Sequence, residues 1–161
     1  IEMICGKRVL DYLNMVNDQN HQISVKLSAK MDKTAQAVER LQEENFRLKG
    51  QVGQLVDDMC RKEAERYAGS GSVLIFMDGM DADSVRKLAD AVTQACQGCC
   101  AVFSKDPDGS YKYAIGEKDG DLRQFTKEMN AALNGRGGGR PFFVQGSVKA
   151  DEEQIRRFFE R

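Results

Sequence analysis

Between Met31 and Met59 the apolar residues fall at heptad spacing, and no other stretch constrains the fold of this chain as much. Met31, Val38, Val52 and Met59 share one heptad position with Asn45 among them, while Leu41, Leu48 and Leu55 share another. Side chains three and four residues apart lie on one face of a helix, so the spacing predicts a long helix over about residues 31–67 with a single apolar stripe. Aliphatic residues at the first position, leucine at the second and one amide form the pattern of a paired coiled coil, in which the buried amide sets register at a cost in stability. An amphipathic helix packed on its own chain requires the same stripe. Gly50 and Gly53 weaken the helix, each by about 1 kcal/mol against alanine. The expected oligomerisation face comprises Val38, Leu41, Asn45, Leu48, Val52, Leu55 and Met59, and the expected assembly is a homodimer.

Upstream, Ile1–Ile4 reads as a short strand and Cys5-Gly6 as a turn. Val9, Leu10, Leu13 and Val16 then sit at helical spacing, and residues 20–29, with Ile23 and Leu27, read as a second short helix. Ile1 rather than Met opens the chain, which leads to the expectation that it continues from an upstream portion.

After Tyr67 the character changes. Gly69-Ser70-Gly71 stops the helix, and Ser72–Met77 is a nearly continuous β-branched and apolar run, as in a strand covered on both faces. Val85, Leu88, Ala89, Val92 and Ala95 mark a helix, with Asp81 or Asp83 placed to cap it. Residues 99–104 and 111–115 read as a hairpin around Asp106-Pro107-Asp108-Gly109. Leu122, Phe125, Met129 and Leu133 mark a further helix; residues 142–148 read as a short strand or an irregular segment, and 151–161 as a last helix. The expected fold class is α+β or α/β: a long helical, coiled-coil-like segment followed by a small α/β globular domain. The expected domains are 1–17, 18–68 and 69–161.

Composition narrows the function. The 161 residues are 41% hydrophobic and 30% charged with a net charge of −1, so bulk basicity announces no nucleic-acid partner and any such site must be local. The longest apolar run, Val73–Met77, is too short to span a bilayer. Five cysteines, an odd number at irregular spacing, fit a reducing cytoplasmic setting better than a disulfide framework. Cys96, Cys99 and Cys100 include one CxxC, but His21 is the only histidine and lies far away, so a metal site is not expected. Asp78, Asp81 and Asp83 follow a strand, where open α/β sheets place their sites, yet capping and turn formation account for them. No catalytic residue is expected in the chain.

The least ordinary feature is Gly135-Arg136-Gly137-Gly138-Gly139-Arg140-Pro141, followed by Gln145-Gly146. Three successive glycines carry an entropic cost and bury nothing. They permit close approach of a phosphate backbone, and a neighbouring guanidinium adds a bidentate contact or stacks on a base. The motif follows a helix rather than preceding one, so it is neither a P-loop nor a dinucleotide fingerprint. A flexible linker has the same composition. The candidate nucleic-acid site is Arg136, Gly137, Gly138, Gly139, Arg140, Gln145 and Gly146.

Two segments resemble a known family. Ile1–Leu10 with Tyr12, including Cys5-Gly6-Lys7-Arg8, resembles the exit of the editing domain in long-form alanyl-tRNA editing proteins. The glycine motif with Gln145-Gly146 resembles that of the DHH-associated domain found in those proteins, in alanyl-tRNA synthetases and in DHH phosphoesterases. Phe142, Phe143 and Val144 depart from the more polar stretch usual there, and Ser147 stands where glycine is common. The resemblance implies a tRNA-binding module, alanine tRNA as partner, and a parent hydrolase that deacylates misacylated alanine tRNA with zinc held in a separate editing domain. The alternative it leaves open is the substrate-binding part of a DHH-type phosphoesterase acting on oligonucleotides or cyclic dinucleotides.

Overall fold

The computed structural model describes residues 6–160. The strand expected at Ile1–Ile4 lies outside them, as does Cys5; Gly6, the second residue of the expected turn, has φ 66°. The described residues divide into two compact units, one up to Gly53 and one from Gln54 onward.

In the first unit, helix α1 (Lys7–Lys26) leads through a 3-10 turn at Met31–Lys33 into helix α2 (Thr34–Arg66), which continues into the second unit. α1 is one continuous helix, where two shorter ones were expected. The polar run Asn17-Asp18-Gln19-Asn20 looks like a break, but it contains neither glycine nor proline, and polar residues in a solvated helix cost only tenths of a kcal/mol each. Asn20 braces the connection: its amide donates to the Met31 carbonyl (2.9 Å) and its oxygen accepts from the Thr34 hydroxyl (2.7 Å). Both helices leave apolar residues in solvent. Leu10, Leu13 and Ile23 on α1 are exposed, as are Val38, Leu41, Leu48, Val52 and Leu55 on α2. Asn45 is exposed too.

The second unit is a five-stranded sheet in the order β1-β2-β3-β5-β4, built from β1 (Val73–Asp78), β2 (Cys100–Lys105), β3 (Tyr111–Gly116), β4 (Arg136–Arg140) and β5 (Phe143–Val148). β1 and β2 run parallel and the other pairs antiparallel. The parallel pair requires a crossover, supplied by α3 (Ala82–Ala95), which lies over β2 and β3 on one face. Val85, Leu88, Ala89 and Val92 of α3 are fully buried there with Cys100, Val102 and Ala114 of the sheet. Val56, Met59 and Cys60, on the end of α2 that belongs to this unit, join the same cluster. Met59, expected on the oligomerisation face, therefore already has its apolar partners within its own chain. The free part of the stripe ends at Leu55.

Helices α4 (Leu122–Ala132) and α5 (Glu152–Phe159) cover the opposite face, where Phe103, Tyr113, Ile115, Met129, Val144 and Ile155 are buried. All three helices of this unit begin at an aspartate that accepts from a first-turn backbone N–H: Asp81 from Ser84, Asp121 from Arg123 and Asp151 from Gln154. The Ser84 N–H holds the Asp81 carboxyl below its ordinary value, and Arg123 brings Asp121 down to about 2. Asp83 pairs with Arg86 at 3.0 Å. Two of the three carboxylates that follow β1 are thus spent on a cap and an ion pair. Among the described residues no group of three or more histidine, cysteine or acidic side chains is placed to hold a metal ion, and no helix is long and apolar enough to cross a membrane. Cys99 and Cys100 are pushed up to about 12, chiefly by burial, so at neutral pH these thiols are uncharged.

Candidate nucleic-acid interface

The glycine motif is a strand. Arg136–Arg140 forms β4, the edge of the sheet, exposed at every position and paired antiparallel with β5. Alternation along a strand sends successive side chains to opposite faces, which divides the seven candidate residues into two sets. Gly138 pairs with Gln145, which pairs with Ala114; Arg140 pairs with Phe143. Ala114 and Phe143 belong to the α3-side cluster, so Arg136, Gly138, Arg140 and Gln145 face that side. Gly139 pairs with Val144, which is buried on the α4–α5 side, so Gly137, Gly139 and Gly146 face the other way.

The two sets have different surroundings. On the α4 side the glycines are required by close packing. A Cβ on Gly137 would overlap the Tyr113 hydroxyl and the Gln145 carbonyl, and one on Gly139 would overlap the Phe143 carbonyl. On Gly146 it would stand 2.8 Å from the Tyr113 ring carbon that bears the hydroxyl. Tyr113 occupies the space left by Gly137 and Gly146, and the β5 backbone that left by Gly139. Its hydroxyl donates to Asn130 Oδ1 on α4 (3.1 Å), and Asn130 Nδ2 donates to the Gly137 carbonyl (3.3 Å). Burial pushes the Tyr113 phenol up, with the Asn130 hydrogen bond opposing. Two of the three glycines of the run thus pack against the protein on this face.

On the α3 side the strand is open. A Cβ on Gly138 would meet nothing within 4 Å. Because α3 covers β2 and β3, the sheet beyond them forms the floor of a groove of about 410 Å³. Its walls are Arg86 and Asp90 from α3 and Arg140, Phe142 and Gln145 from the hairpin, with Gly138 beneath. Arg136 and Arg140 lie on the same face about 13 Å apart, from four strand rises. Among the described residues neither enters an ion pair, whereas Arg86 pairs with Asp83 and Lys112 with Asp106. The tip of the hairpin is pinned: the Pro141 carbonyl accepts from the Leu122 N–H (2.7 Å) and the Phe142 carbonyl from the Glu117 N–H (3.0 Å). Sequence reasoning missed Arg86, Asp90 and Phe142. The first two come from a helix some fifty residues earlier and carry no signal of their own; Phe142 stands next to the motif but reads as another core aromatic.

Residues 70–161 match the DHHA1 domain. The chain belongs to the DHHA1 domain family. An alanine–tRNA ligase from Clostridioides difficile (strain 630) is 26% identical over 159 residues, covering 90% of this chain and 18% of the relative. One from Psychrobacter sp. (strain PRwf-1) is 21% identical over 165 residues, covering 95% and 18%. The chain therefore spans less than a fifth of the length of these relatives. Among solved structures, RecJ from Thermus thermophilus in complex with Mg2+ aligns with a TM-score of 0.56 at 16% identity, over 86% of this chain and 21% of that one, a likeness of fold. The C-Ala domain of Aquifex aeolicus alanyl-tRNA synthetase aligns with a TM-score of 0.49 at 22% identity, over 58% of this chain and 92% of that domain. The DHHA1 domain of this chain carries the glycine motif as its edge strand, with one face sealed and one face open.

Proposed function

We propose that this chain is a tRNA-binding module and that the open face of the β4–β5 hairpin is its contact surface. The observation that carries the reading is the pair Arg136 and Arg140, without an ion pair among the described residues and flanking a glycine over which nothing stands. A chain of net charge −1 gains little from bulk attraction to RNA, so affinity must come from a few such contacts. Gly137 and Gly146 serve the site by allowing the hairpin to close on Tyr113, and Gly139 by allowing the two strands to close on each other. The alanine–tRNA ligase relatives support tRNA, and alanine tRNA in particular, as the partner. In this reading the chain belongs to a cytoplasmic alanyl-tRNA editing hydrolase, and zinc-dependent deacylation resides in a domain other than this one. The test is tRNA affinity at fixed salt for the wild type, Arg136→Ala and Arg140→Ala, with folding checked by circular dichroism and a single-stranded oligonucleotide as competitor. Folded variants that bind tRNA like the wild type sink the reading. Preference for the oligonucleotide favours the phosphoesterase alternative.

The same reading includes self-association through α2. Val38, Leu41, Leu48, Val52 and Leu55 are between 38% and 70% exposed along one helix, more apolar surface in a row than a monomer normally leaves wet. Pairing between two copies buries the stripe and places Asn45 at its centre, where a polar residue sets register. Asn45→Leu is expected to raise the stability of the assembly or change its stoichiometry. Sedimentation showing monomers at high concentration for both proteins overturns this.

A further inference from the structure

Resting on the tRNA-binding reading, we propose that the groove between α3 and the β4–β5 hairpin receives one unpaired nucleobase, stacked on the ring of Phe142. Phe142 is 47% exposed, an unusual position for a phenylalanine in a domain that buries Phe103 completely. It is also held still. Backbone hydrogen bonds from Leu122 and Glu117 fix Pro141 and Phe142 at the hairpin tip, so the ring is presented by a rigid turn and loses little freedom on binding. A fixed exposed aromatic beside a guanidinium is the arrangement on which unpaired bases stack.

The rest of the groove fits a base better than a phosphate. Gly138 leaves a flat floor where any side chain would stand in the way. Gln145 is exposed on that floor and offers both an amide donor and a carbonyl acceptor. The opposite wall carries Asp90 and Arg86; Arg86 is paired with Asp83 while Asp90 enters no ion pair among the described residues, so Asp90 disfavours phosphate beside it and accepts from the N–H groups of a base edge. Arg140 sits at the hairpin end of the groove, where the phosphate attached to the stacked base would lie. A helical duplex keeps its bases stacked on one another and offers none to this groove, so the site selects RNA with an extruded or looped-out base.

The chain contains no tryptophan, which provides a direct readout. Phe142→Trp introduces a single indole into the groove, and stacking on a base quenches its emission. Titrating this variant with an alanine-tRNA transcript is expected to quench it, and titrating it with a fully paired RNA duplex of equal phosphate count is not. Phe142→Ala and Phe142→Leu are expected to weaken tRNA binding about 5- to 150-fold, the range for one base–aromatic stack. They should leave duplex binding and the salt dependence of tRNA binding unchanged, because no phosphate contact is lost. Phe142→Leu keeps apolar bulk at the turn, so a merely structural role would be rescued by it. Wild-type affinity in Phe142→Leu, or tRNA binding by Phe142→Trp without a change in emission, overturns the proposal. Loss of binding in Arg140→Ala with none in Phe142→Ala overturns this proposal alone; a wild type that binds no tRNA overturns it together with the reading on which it rests.

Discussion

The two faces of the β4–β5 hairpin use the same residue type for opposite ends. On the α4 side Gly137, Gly139 and Gly146 are small because the Tyr113 ring and neighbouring backbone leave no room for a Cβ. On the α3 side Gly138 is small with nothing near it, between two arginines that pair with no carboxylate among the described residues. Packing explains the first set completely and the second not at all. A glycine that the fold does not require, in a strand where glycine is a poor choice, is what the proposed approach of a ligand from outside would account for. The contrast separates glycines that build the site from the glycine that serves it, and mutations can tell them apart.

The largest effect is expected on the sealed face. Gly137→Val or Gly146→Val forces side-chain atoms into the Tyr113 ring and the facing backbone, and overpacking of this kind costs about 1–3 kcal/mol or more. A clear fall in the urea midpoint is expected for each, with tRNA binding lost as a consequence of the damaged hairpin. Wild-type midpoints would mean that the sealed face is not sealed, and the contrast would fail.

Next comes the open face, where stability and binding should part. Gly138→Val meets no neighbour and places a β-branched residue in a strand, so stability is expected to hold or to rise by up to about 1 kcal/mol. tRNA affinity is expected to fall at least as far as in Arg140→Ala, about 1–3 kcal/mol for one lost contact. Urea melts and tRNA titrations on the same preparations decide this. A Gly138→Val protein that melts like the wild type and also binds like it would make the open glycine as mute as any linker.

These contrasts show where sequence was readable and where it was not. α3, the β2–β3 hairpin and α4 follow from apolar periodicity and from the Asp-Pro-Asp-Gly turn, because in each case local spacing and tertiary burial agree. The long α2 was equally legible from its heptad stripe, and the helix runs unbroken through Gly50 and Gly53. β4 was not legible as a strand. A run of three glycines has neither alternation nor β propensity, and only pairing with β5 makes it one. The candidate site was legible as a motif but not as geometry. Which glycines face Tyr113 depends on register, and a shift of one residue would exchange the two sets. Arg86 and Asp90 were invisible as site residues because α3 reaches the hairpin only through the fold.

The smallest effect tests the support behind the sealed face. The Tyr113 hydroxyl donates to Asn130, and Asn130 in turn donates to the Gly137 carbonyl, so one side chain links the ring, α4 and the edge strand. Tyr113→Phe keeps the ring carbon that stands against Gly146 and removes the hydroxyl, the atom nearest Gly137. One such hydrogen bond contributes about 0.5–1.5 kcal/mol, and tRNA affinity at the open face should be unchanged. The phenol also supplies a pH signature. Burial raises its folded-state value above the ordinary 10.0, so its contribution is complete below that pH and is lost as the pH climbs through the raised value. Stability should therefore fall above about pH 10 in the wild type and fall less steeply in Tyr113→Phe. A slope remains in the variant, because Cys99 and Cys100, pushed up to about 12, act with the same sign. Urea melts between pH 8 and pH 11, roughly the window in which those groups begin to ionise in the unfolded chain, measure both slopes. Equal slopes would place the Tyr113 hydroxyl in contact with solvent, and the link from α4 to the glycine strand would have to be carried by Asn130 alone.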